Sequence, residues 1–273
     1  MKNLFPCVIK AWKVIFRYTN NTKGMKGYTV FLDIDGTLIS DNDGPFADDL
    51  AGIERAWKRG IKFFLCTGRS LAQIFRVFLE APWMDGMVAA GGAHVILGGK
   101  TLYHNWIPVP VLCETAALFL SGGKQCSFRG DKCTYAVNLN GNKVSIVSKD
   151  DFADKYSDAR VSMLTVDHAV DRTERSFLEK YFDIYHQIPH LDCFIKGEGK
   201  AKGMQMILGA LGLDRKKTIA IGDSANDLDV LEFAGTGIAM GNACEELKAK
   251  ASWISAPVGK GGIVKALEYL ELC

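Results

Sequence analysis

The chain has 273 residues, which suffices for one large or two modest domains with a sizeable core. Hydrophobic residues make up 48% and charged residues 23%, as is ordinary for a soluble globular protein. The formal net charge is only +2, so the composition gives no reason to expect a nucleic-acid partner.

The first 24 residues form a basic segment with no acidic residue. If residues 7–18 are helical, Lys10, Lys13 and Arg17 share one face, which would suit a helix on a membrane surface. A secretory signal fits poorly because lysines interrupt the apolar stretch. No apolar run approaches the roughly 18 residues of a membrane-spanning helix, so stable membrane insertion is not expected. We favour an extension over residues 1–24, since domain-like patterning begins only at Tyr28.

Short apolar strands alternate with helices towards both ends of the chain. The predicted strands are 28–32, 61–66, 87–90, 217–221, 235–240 and 252–255, and the predicted helices are 47–58, 70–79, 226–233, 244–250 and 262–271. This alternation predicts an α/β fold, a Rossmann-like parallel sheet with helices on both faces.

The middle of the chain has a different pattern, with helices predicted at 109–120, 150–155 and 171–181 and extended stretches at 125–128, 134–139 and 144–147. The dipeptide Asn140-Gly141 predicts a hairpin between two of these stretches. We therefore predict an α+β insert within the parallel domain. The predicted division is an extension at 1–24, the first part of the core at 25–107, the insert at 108–188 and the second part of the core at 189–273.

Polar side chains follow three of the predicted parallel strands. They are Asp33 and Asp35 after the first strand, Thr67 after the second, and Asp223 and Asp227 near the other end of the chain. Because ligands of open α/β sheets bind outside the carboxyl ends of the strands, these groups can converge although they are far apart in sequence.

Asp33 and Asp35 stand two residues apart and are followed by Gly36, which permits a sharp turn. One carboxylate can form an aspartyl-phosphate, and the other can protonate a leaving alcohol and later deprotonate water. Two close carboxylates need a cation, and hard oxygen ligands select Mg²⁺. Taken alone, however, the pair fits a solvated Asp-rich loop or a calcium site equally well.

The remaining groups are also ambiguous when each is taken alone. Asp223 can complete a metal site, yet the run that ends at Asp227 could simply cap the next helix. Thr67 and the backbone N–H groups after it could hold a phosphate at a helix N-terminus, or form an ordinary cap. Lys200 and Lys202 compete, on charge alone, to neutralise a phosphoryl group.

Assembled in order, these residues resemble a known set of motifs. Asp33-Ile34-Asp35-Gly36-Thr37-Leu38, Thr67-Gly68-Arg69, Lys202-Gly203 and Gly222-Asp223-Ser224-Ala225-Asn226-Asp227 resemble the four motifs of the haloacid dehalogenase (HAD) superfamily. The long gap between the second and third motifs, and the form of the fourth, resemble its Cof-type sugar-phosphatase branch, which has an α/β cap of the C2 type. The resemblance covers residues 26–273 and implies that the insert is this cap.

The resemblance implies a role for each motif residue. Asp33 would be nucleophile and metal ligand, and Asp35 would be general acid and base, with its backbone carbonyl on Mg²⁺. The other implied roles are phosphate binding by Thr67, Gly68 and Lys202, metal binding by Asp223, support of phosphate or metal by Asn226 and Asp227, and a cap- or substrate-facing position for Arg69.

The resemblance also settles the lysine choice in favour of Lys202, because that residue precedes the glycine of the family motif. Two departures stand out: Cys66 precedes Thr67, where a small residue such as Ala is more usual, and the extension has no family counterpart. Neither removes a catalytic group.

The leading prediction is therefore a magnesium-dependent phosphatase that acts on a small-molecule phosphate ester, with sugar phosphates as the implied class. A sugar-phosphate mutase and a non-catalytic sugar-phosphate sensor on the same fold are the alternatives. The eight cysteines contain no CxxC pair and are interpreted as reduced thiols, which favours a cytoplasmic location. The sequence predicts no particular oligomeric state.

Overall fold

The structure, a computed structural model, describes residues 27–40, 43–139, 141–187 and 190–273. The predicted extension and its candidate helix at 7–18 lie outside these ranges. Two compact units are present: a larger unit of residues up to Gly68, Phe75–Leu102 and Gly199–Cys273, and a smaller unit of Arg69–Ile74 and Tyr103–Glu198. Across the described ranges, no helix combines the length and the apolar character needed to cross a bilayer.

The larger unit is built on an eight-stranded sheet with the order β14-β13-β12-β1-β2-β3-β4-β5. Its strands are β1 (Thr29–Leu32), β2 (Lys62–Cys66), β3 (Met84–Ala89), β4 (His94–Leu97), β5 (Lys100–His104), β12 (Thr218–Gly222), β13 (Thr236–Ala239) and β14 (Trp253–Ile254). The strands from β14 to β3 pair in parallel, whereas β3 and β4 are antiparallel.

Helices accompany this sheet. In chain order they are α1 (Ala47–Lys58), α2 (Arg76–Leu79), α6 (Lys200–Leu211), α7 (Leu228–Phe233), α8 (Glu245–Lys250) and α9 (Gly262–Tyr269). The three helices between α2 and α6 belong to the smaller unit: α3 (Val109–Ser121), α4 (Asp151–Asp154) and α5 (Arg172–Tyr181). Every residue of β1 is buried, as expected for a parallel strand covered on both faces.

The middle of the parallel sheet positions the functional residues. Strand β1 pairs with β2 on one side and with β12 on the other, so that Leu32 lies beside both Leu65 and Ile221. The chain order therefore changes direction at β1, and the carboxyl ends of β2, β1 and β12 lie side by side. Such a switch point is where open α/β sheets bind their ligands.

The smaller unit contains a six-stranded sheet with the order β10-β11-β9-β6-β7-β8. Its strands are β6 (Cys126–Gly130), β7 (Thr134–Val137), β8 (Val144–Ser145), β9 (Val161–Val166), β10 (Phe182–Gln187) and β11 (His190–Ile195). One face of the sheet contributes Phe128, Leu164 and Cys193 to a hydrophobic core, which Phe119 of α3 and Leu178 of α5 complete. This unit has a mainly antiparallel sheet, in which only β7 and β8 pair in parallel, with helices packed on one face.

Two predictions about local structure are wrong, and the bounds of the smaller unit differ from those of the predicted insert. Strands β7 and β8 pair in parallel, so no tight hairpin joins them, and Asn140 itself lies outside the described ranges. The helix predicted at 70–79 is a single 3-10 turn (Leu71–Gln73) followed by α2, because Ile74 and Phe75 are extended. The second unit also begins five residues earlier and ends ten later than the predicted insert (103–198 against 108–188), since β11 pairs with β9 and carries the unit to Glu198.

Candidate active site

Asp33 directly follows β1 and lies almost completely inside the larger unit, with 4% of its surface exposed. Its backbone N–H donates to the carbonyl of Ile221 (3.0 Å), which extends the pairing of β1 with β12 by one residue. The carboxylate is therefore fixed at the carboxyl edge of the sheet by the same hydrogen bonds that build the sheet.

A tight turn follows Asp33. The backbone N–H groups of Leu38 and Ile39 both donate to the carbonyl of Ile34 (2.9 and 3.0 Å). Gly36 has a φ of +74°, and a Cβ atom added to it would overlap the Asp223 carboxylate. Glycine is required here both for its backbone conformation and for the close approach of Asp223.

Lys200, the first residue of α6, places its ammonium group among the acidic residues. Its Nζ lies 2.9 Å from Asp33 Oδ1, 2.6 Å from Asp227 Oδ1 and 2.8 Å from Asn226 Oδ1. The side chain is 1% exposed. Burial alone would disfavour the charged form, but the carboxylates of Asp227 and Asp33 outweigh it and raise the pKa of Lys200 well above its usual value.

Asp227 organises the loop after β12. Its Oδ2 accepts the backbone N–H groups of Asp223 and Ser224 (3.1 Å each), while Oδ1 binds Lys200. Both carboxylate oxygens are therefore engaged within the protein. A Cβ atom at Gly222 would overlap this carboxylate, so glycine at the end of β12 lets Asp227 fold back over the strand end.

Carboxylate oxygens of Asp33, Asp223 and Asp227 lie within 4.8 Å of one another. Burial, followed by the negative charge of Asp227, raises the pKa of Asp223 to about 7, although a hydrogen bond from Thr37 (3.3 Å) opposes the shift. Burial likewise raises the pKa of Asp33 well above its usual range, and the neighbouring carboxylates add to the effect of burial. One ammonium group does not balance three close carboxylates.

This donor set fits a magnesium ion. Hard carboxylate oxygens suit Mg²⁺, and a divalent cation would supply the missing positive charge. Asp33 and Asp223 are the better candidates for direct ligands, because both oxygens of Asp227 already have partners in the protein. Asp35 is exposed and is not part of the carboxylate cluster. The predicted metal contact of Asp35 through its backbone carbonyl stays a prediction.

The second motif lies at the end of β2. Thr67 is fully buried, its N–H donates to the carbonyl of Val88 (2.8 Å), and its carbonyl accepts the N–H of Gly91 (3.1 Å). Gly68 is the last residue of this segment in the larger unit, whereas Arg69 belongs to the smaller unit, where its Nη1 donates to the carbonyl of Gln73 (3.0 Å). The roles predicted for all three residues stay predictions.

The choice of Lys202 over Lys200 needs correction, because Lys200 is the lysine in contact with Asp33. The buried face of α6 contains Lys200, Gly203 and Met204. Lys202 is half-buried and lies about 200° around the helix axis from Lys200, so the two cannot share that face. The glycine of the motif is instead a packing position, since a Cβ atom at Gly203 would overlap Val88 in β3.

Two further residues position the site, and the sequence analysis missed both. The Asn242 side-chain amide donates to the carbonyl of Gly36 (2.9 Å), and its Oδ1 accepts the N–H of Val258 (2.8 Å), which joins the Asp33 turn to a loop near the end of the chain. Asp229 Oδ2 accepts the N–H of Ala201 (2.9 Å) at the start of α6. Asp229 lies two residues beyond the fourth motif, and this position could have pointed to a role in the site. No sequence pattern marks Asn242.

A profile of the haloacid dehalogenase-like hydrolases matches residues 30–267. The chain belongs to this family. The 5-amino-6-(5-phospho-D-ribitylamino)uracil phosphatase YitU of Bacillus subtilis is 26% identical to it over 272 residues, which cover 90% of this chain and 99% of YitU.

Solved structures agree with this assignment. The HAD subclass IIB sugar phosphatase BT4131 is 26% identical, and the match covers 90% of this chain and 100% of that one with a TM-score of 0.79. BT1666 of Bacteroides thetaiotaomicron, at 20% identity, shares the fold with a TM-score of 0.78 over 94% of this chain and 100% of its own. The family, the α/β fold and the enzyme class predicted from the sequence, a HAD-type phosphatase, are confirmed.

Proposed function

We propose that this chain hydrolyses small phosphomonoesters, with Mg²⁺ as cofactor, through a phosphorylated form of Asp33. The observation that carries the proposal is the buried Asp33 carboxylate, held at Oδ1 by the Lys200 ammonium group (2.9 Å) beside two further carboxylates. Because this nucleophile is already fixed in place and partly charge-balanced, little reorganisation is needed when it attacks phosphorus.

The first half-reaction forms a bond between the free carboxylate oxygen of Asp33 and phosphorus, and breaks the bond from phosphorus to the ester oxygen. Asp35, which is exposed at the turn, gives its proton to the departing alkoxide. In the second half, Asp35 takes a proton from water as the water oxygen attacks phosphorus. The bond from phosphorus to Asp33 then breaks, and inorganic phosphate leaves.

The other residues hold this arrangement in place. Lys200 keeps Oδ1 of Asp33 oriented and offsets negative charge near the phosphoryl group. Asp227 orients Lys200 and the backbone that carries Asp223. Asp33 and Asp223 would hold Mg²⁺, which when bound neutralises charge on the phosphate oxygens.

We further propose sugar phosphates as the substrate class. BT4131 is a sugar phosphatase, and the name of YitU describes a phosphate ester on a ribityl chain. Both proteins match this chain over nearly their whole length.

The test is the substitution Asp33→Asn, measured as phosphate release from para-nitrophenyl phosphate with and without Mg²⁺. An amide cannot form the acyl phosphate, so turnover should be abolished, whereas Asp35→Asn should leave a slowly hydrolysed phosphoenzyme visible by mass spectrometry. Asp48→Asn, the same change at an exposed position of α1, is the matched control. Near-wild-type activity of Asp33→Asn would refute the mechanism. If the wild-type protein bound sugar phosphates without metal-dependent release of phosphate, the sensor alternative would replace it.

A further inference from the structure

Strand β10 forms one edge of the sheet in the smaller unit, because it ends the strand order and pairs there with β11. With six residues (Phe182–Gln187) it is the longest of the four strands that end the two described sheets. Strands β8 and β14 have two residues each, and β5 has five and includes Lys100. A long edge strand presents backbone hydrogen-bonding groups to which another strand can bind.

The pairing with β11 shows which backbone groups of β10 point outward. The N–H of Lys196 donates to the carbonyl of Tyr181 (3.0 Å), and these two residues continue the antiparallel register of the two strands. In such a pair, residues that bond to the neighbouring strand alternate with residues whose backbone groups point away from it. The N–H and C=O groups of Phe182, Ile184 and His186 therefore point to the open side, where no other described strand lies.

The sequence of β10 lacks the usual features that protect an edge strand. It contains no proline and no lysine, and its pairing with β11 has no bulge. Its carboxylate, that of Asp183, accepts the backbone N–H of Gly197 (3.1 Å), so this negative charge is held by the same unit. The strand is therefore able to accept a further strand at its edge.

A groove of about 550 Å³ follows this edge. Its charged lining residues are Arg175 and Glu179 of α5, Asp183 of β10, and Lys196, so two basic groups balance two acidic groups. A groove without net charge does not repel a second copy of itself, and it gives a strongly charged partner no long-range attraction.

A two-fold axis through Ile184 would make this edge complementary to itself. In the antiparallel register that the axis produces, Ile184 stands opposite Ile184 of the second copy and Phe182 stands opposite His186. All three residues with outward backbone groups then form hydrogen-bonded pairs. On the other face of the strand, Asp183 stands opposite Tyr185 of the second copy, which places a carboxylate beside a phenol.

The same axis would bring opposite charges of the two α5 helices together. Arg175 lies beside His186, since its Nη2 is 3.4 Å from His186 Nε2, whereas Glu179 lies one helical turn further along α5, towards Phe182. Because the axis exchanges the two ends of β10, Arg175 would face Glu179 of the second copy. Arg175 and Glu179 already pair within α5 (3.0 Å), so the contact would join two ion pairs into a network of four charges.

We propose that β10 is a homodimer interface, in which two copies of this chain join their β10 strands in antiparallel register about a two-fold axis through Ile184. The two six-stranded sheets then form one continuous sheet of twelve strands. A second copy is the occupant that matches this edge in length, register and charge at once. The inference does not depend on the proposed phosphatase function.

Sedimentation equilibrium over a range of protein concentrations, from about 1 to about 500 µM, tests the inference. Six residues of paired strand and an exposed ion-pair network predict a dissociation constant of about 1–100 µM. The average mass of the wild-type protein should therefore rise from that of the monomer, 30.0 kDa, towards twice that value. A mass of 30.0 kDa at every concentration would overturn the inference and leave the edge to an extended segment of another protein.

His186→Pro tests whether the strand edge is the interface. Proline removes one outward N–H and leaves the bonds to β11 intact, so the monomer should fold while the dimer becomes at least about tenfold weaker. His186→Ala is the matched control, because it removes the same side chain and keeps the N–H, and its dissociation constant should stay within about threefold of wild type. A dimer that His186→Pro leaves unchanged, or that both variants weaken equally, would overturn the inference.

Hydrogen exchange of the wild-type protein provides a second measurement if His186→Pro does not fold. The outward amides of Phe182, Ile184 and His186 should exchange at least about tenfold more slowly at about 500 µM protein than at about 5 µM. The amides of Asp183 and Tyr185, which face β11, should change much less and serve as internal controls. Exchange at the outward amides that did not depend on concentration would overturn the inference.

Discussion

Each of the three N–H bonds of the Lys200 ammonium group has an oxygen acceptor within 2.9 Å. A buried charge with a full set of partners is stable only while those partners remain, so the lysine and its carboxylates depend on one another. The same contacts orient Asp33, which links the stability of the larger unit to the proposed chemistry.

Lys200→Met should therefore lower both stability and activity. Removing one partner of a buried ion pair costs about 3–5 kcal/mol, because the carboxylates are left uncompensated. Phosphate release should fall at least about a hundredfold. Urea denaturation without Mg²⁺ and phosphate release with Mg²⁺ measure the two effects. Lys202→Met is the matched control, and its rate of phosphate release should stay within about twofold of the wild-type rate. If Lys202→Met lost more activity than Lys200→Met, Lys202 would be the functional lysine, as the sequence predicted.

A second residue-scale prediction concerns Asp49, which lies in the first turn of α1 and accepts the backbone N–H of Val264 in α9 (3.0 Å). It is 1% exposed, and burial raises its pKa in the folded protein above the ordinary value of 3.8. Between the unfolded and folded pKa values the folded state binds more protons, so stability falls as pH rises through that window.

Asp49→Asn keeps the acceptor and removes the charge. The variant should therefore be more stable than wild type at neutral pH, and the difference should vanish below about pH 4, where the carboxyl group is protonated in both states. Thermal unfolding between pH 3.5 and 7.5 measures this. Asp49→Ala, which also loses the acceptor for the Val264 N–H, should be about 1 kcal/mol less stable than Asp49→Asn. A difference that grew on acidification would contradict the argument.

The sequence predicted Asp33, Asp223 and Asp227 as a group because each follows a strand end in a distinctive motif. The resemblance selected Lys202 instead of Lys200, because the correct choice depends on which face of α6 meets the sheet, and that face is not visible in the motif. The role of Asn242 could not be predicted, because a single asparagine in a loop belongs to no sequence pattern and only the fold brings it beside Gly36 and Val258.

At the scale of elements, the packing of α6 on β3 controls where Lys200 sits. A Cβ atom at Gly203 would overlap Val88, whereas one at Gly209, in the same helix, would meet no atom within 4 Å. The two glycines therefore offer a matched pair of substitutions to alanine.

Gly203→Ala should push α6 away from β3, destabilise the protein by about 1–3 kcal/mol and lower activity through displacement of Lys200. Gly209→Ala should instead stabilise the protein by about 0.5–1 kcal/mol, since alanine favours the helix, and should leave activity unchanged. Denaturant unfolding and phosphate release on both variants measure this contrast. Equal effects of the two substitutions would show that the helix does not pack as described.

The elements that sequence patterns missed share physical causes. Strand β10 begins directly after α5, with no turn residue to mark the boundary between Tyr181 and Phe182. Helix α6 contains Gly203 and Gly209, which weaken its helical pattern. The predicted helix at 70–79 failed for the opposite reason, because its apolar spacing is helical while a capping box from Ser70 closes only one turn.

At the scale of the whole molecule, bound Mg²⁺ should shift the folding equilibrium. An ion that binds only the folded state adds about 2.7 kcal/mol at 100 times its dissociation constant. Mg²⁺ should therefore raise the melting temperature of the wild-type protein by several degrees, and Asp223→Asn should lose most of this shift. Asp48→Asn is the control, and calorimetry without substrate measures the effect separately from activity. An unchanged shift in Asp223→Asn would place the ion elsewhere.

The smaller unit is assembled from two separate stretches of chain, 69–74 and 103–198, so the chain passes between the units four times. This division bears on attempts to exchange specificity between relatives. A chimera that replaces only residues 103–198 keeps Arg69 and its 3-10 turn from this protein beside a foreign sheet. A transplant that respects the fold carries the short stretch together with the long one, and the two must be chosen from the same donor.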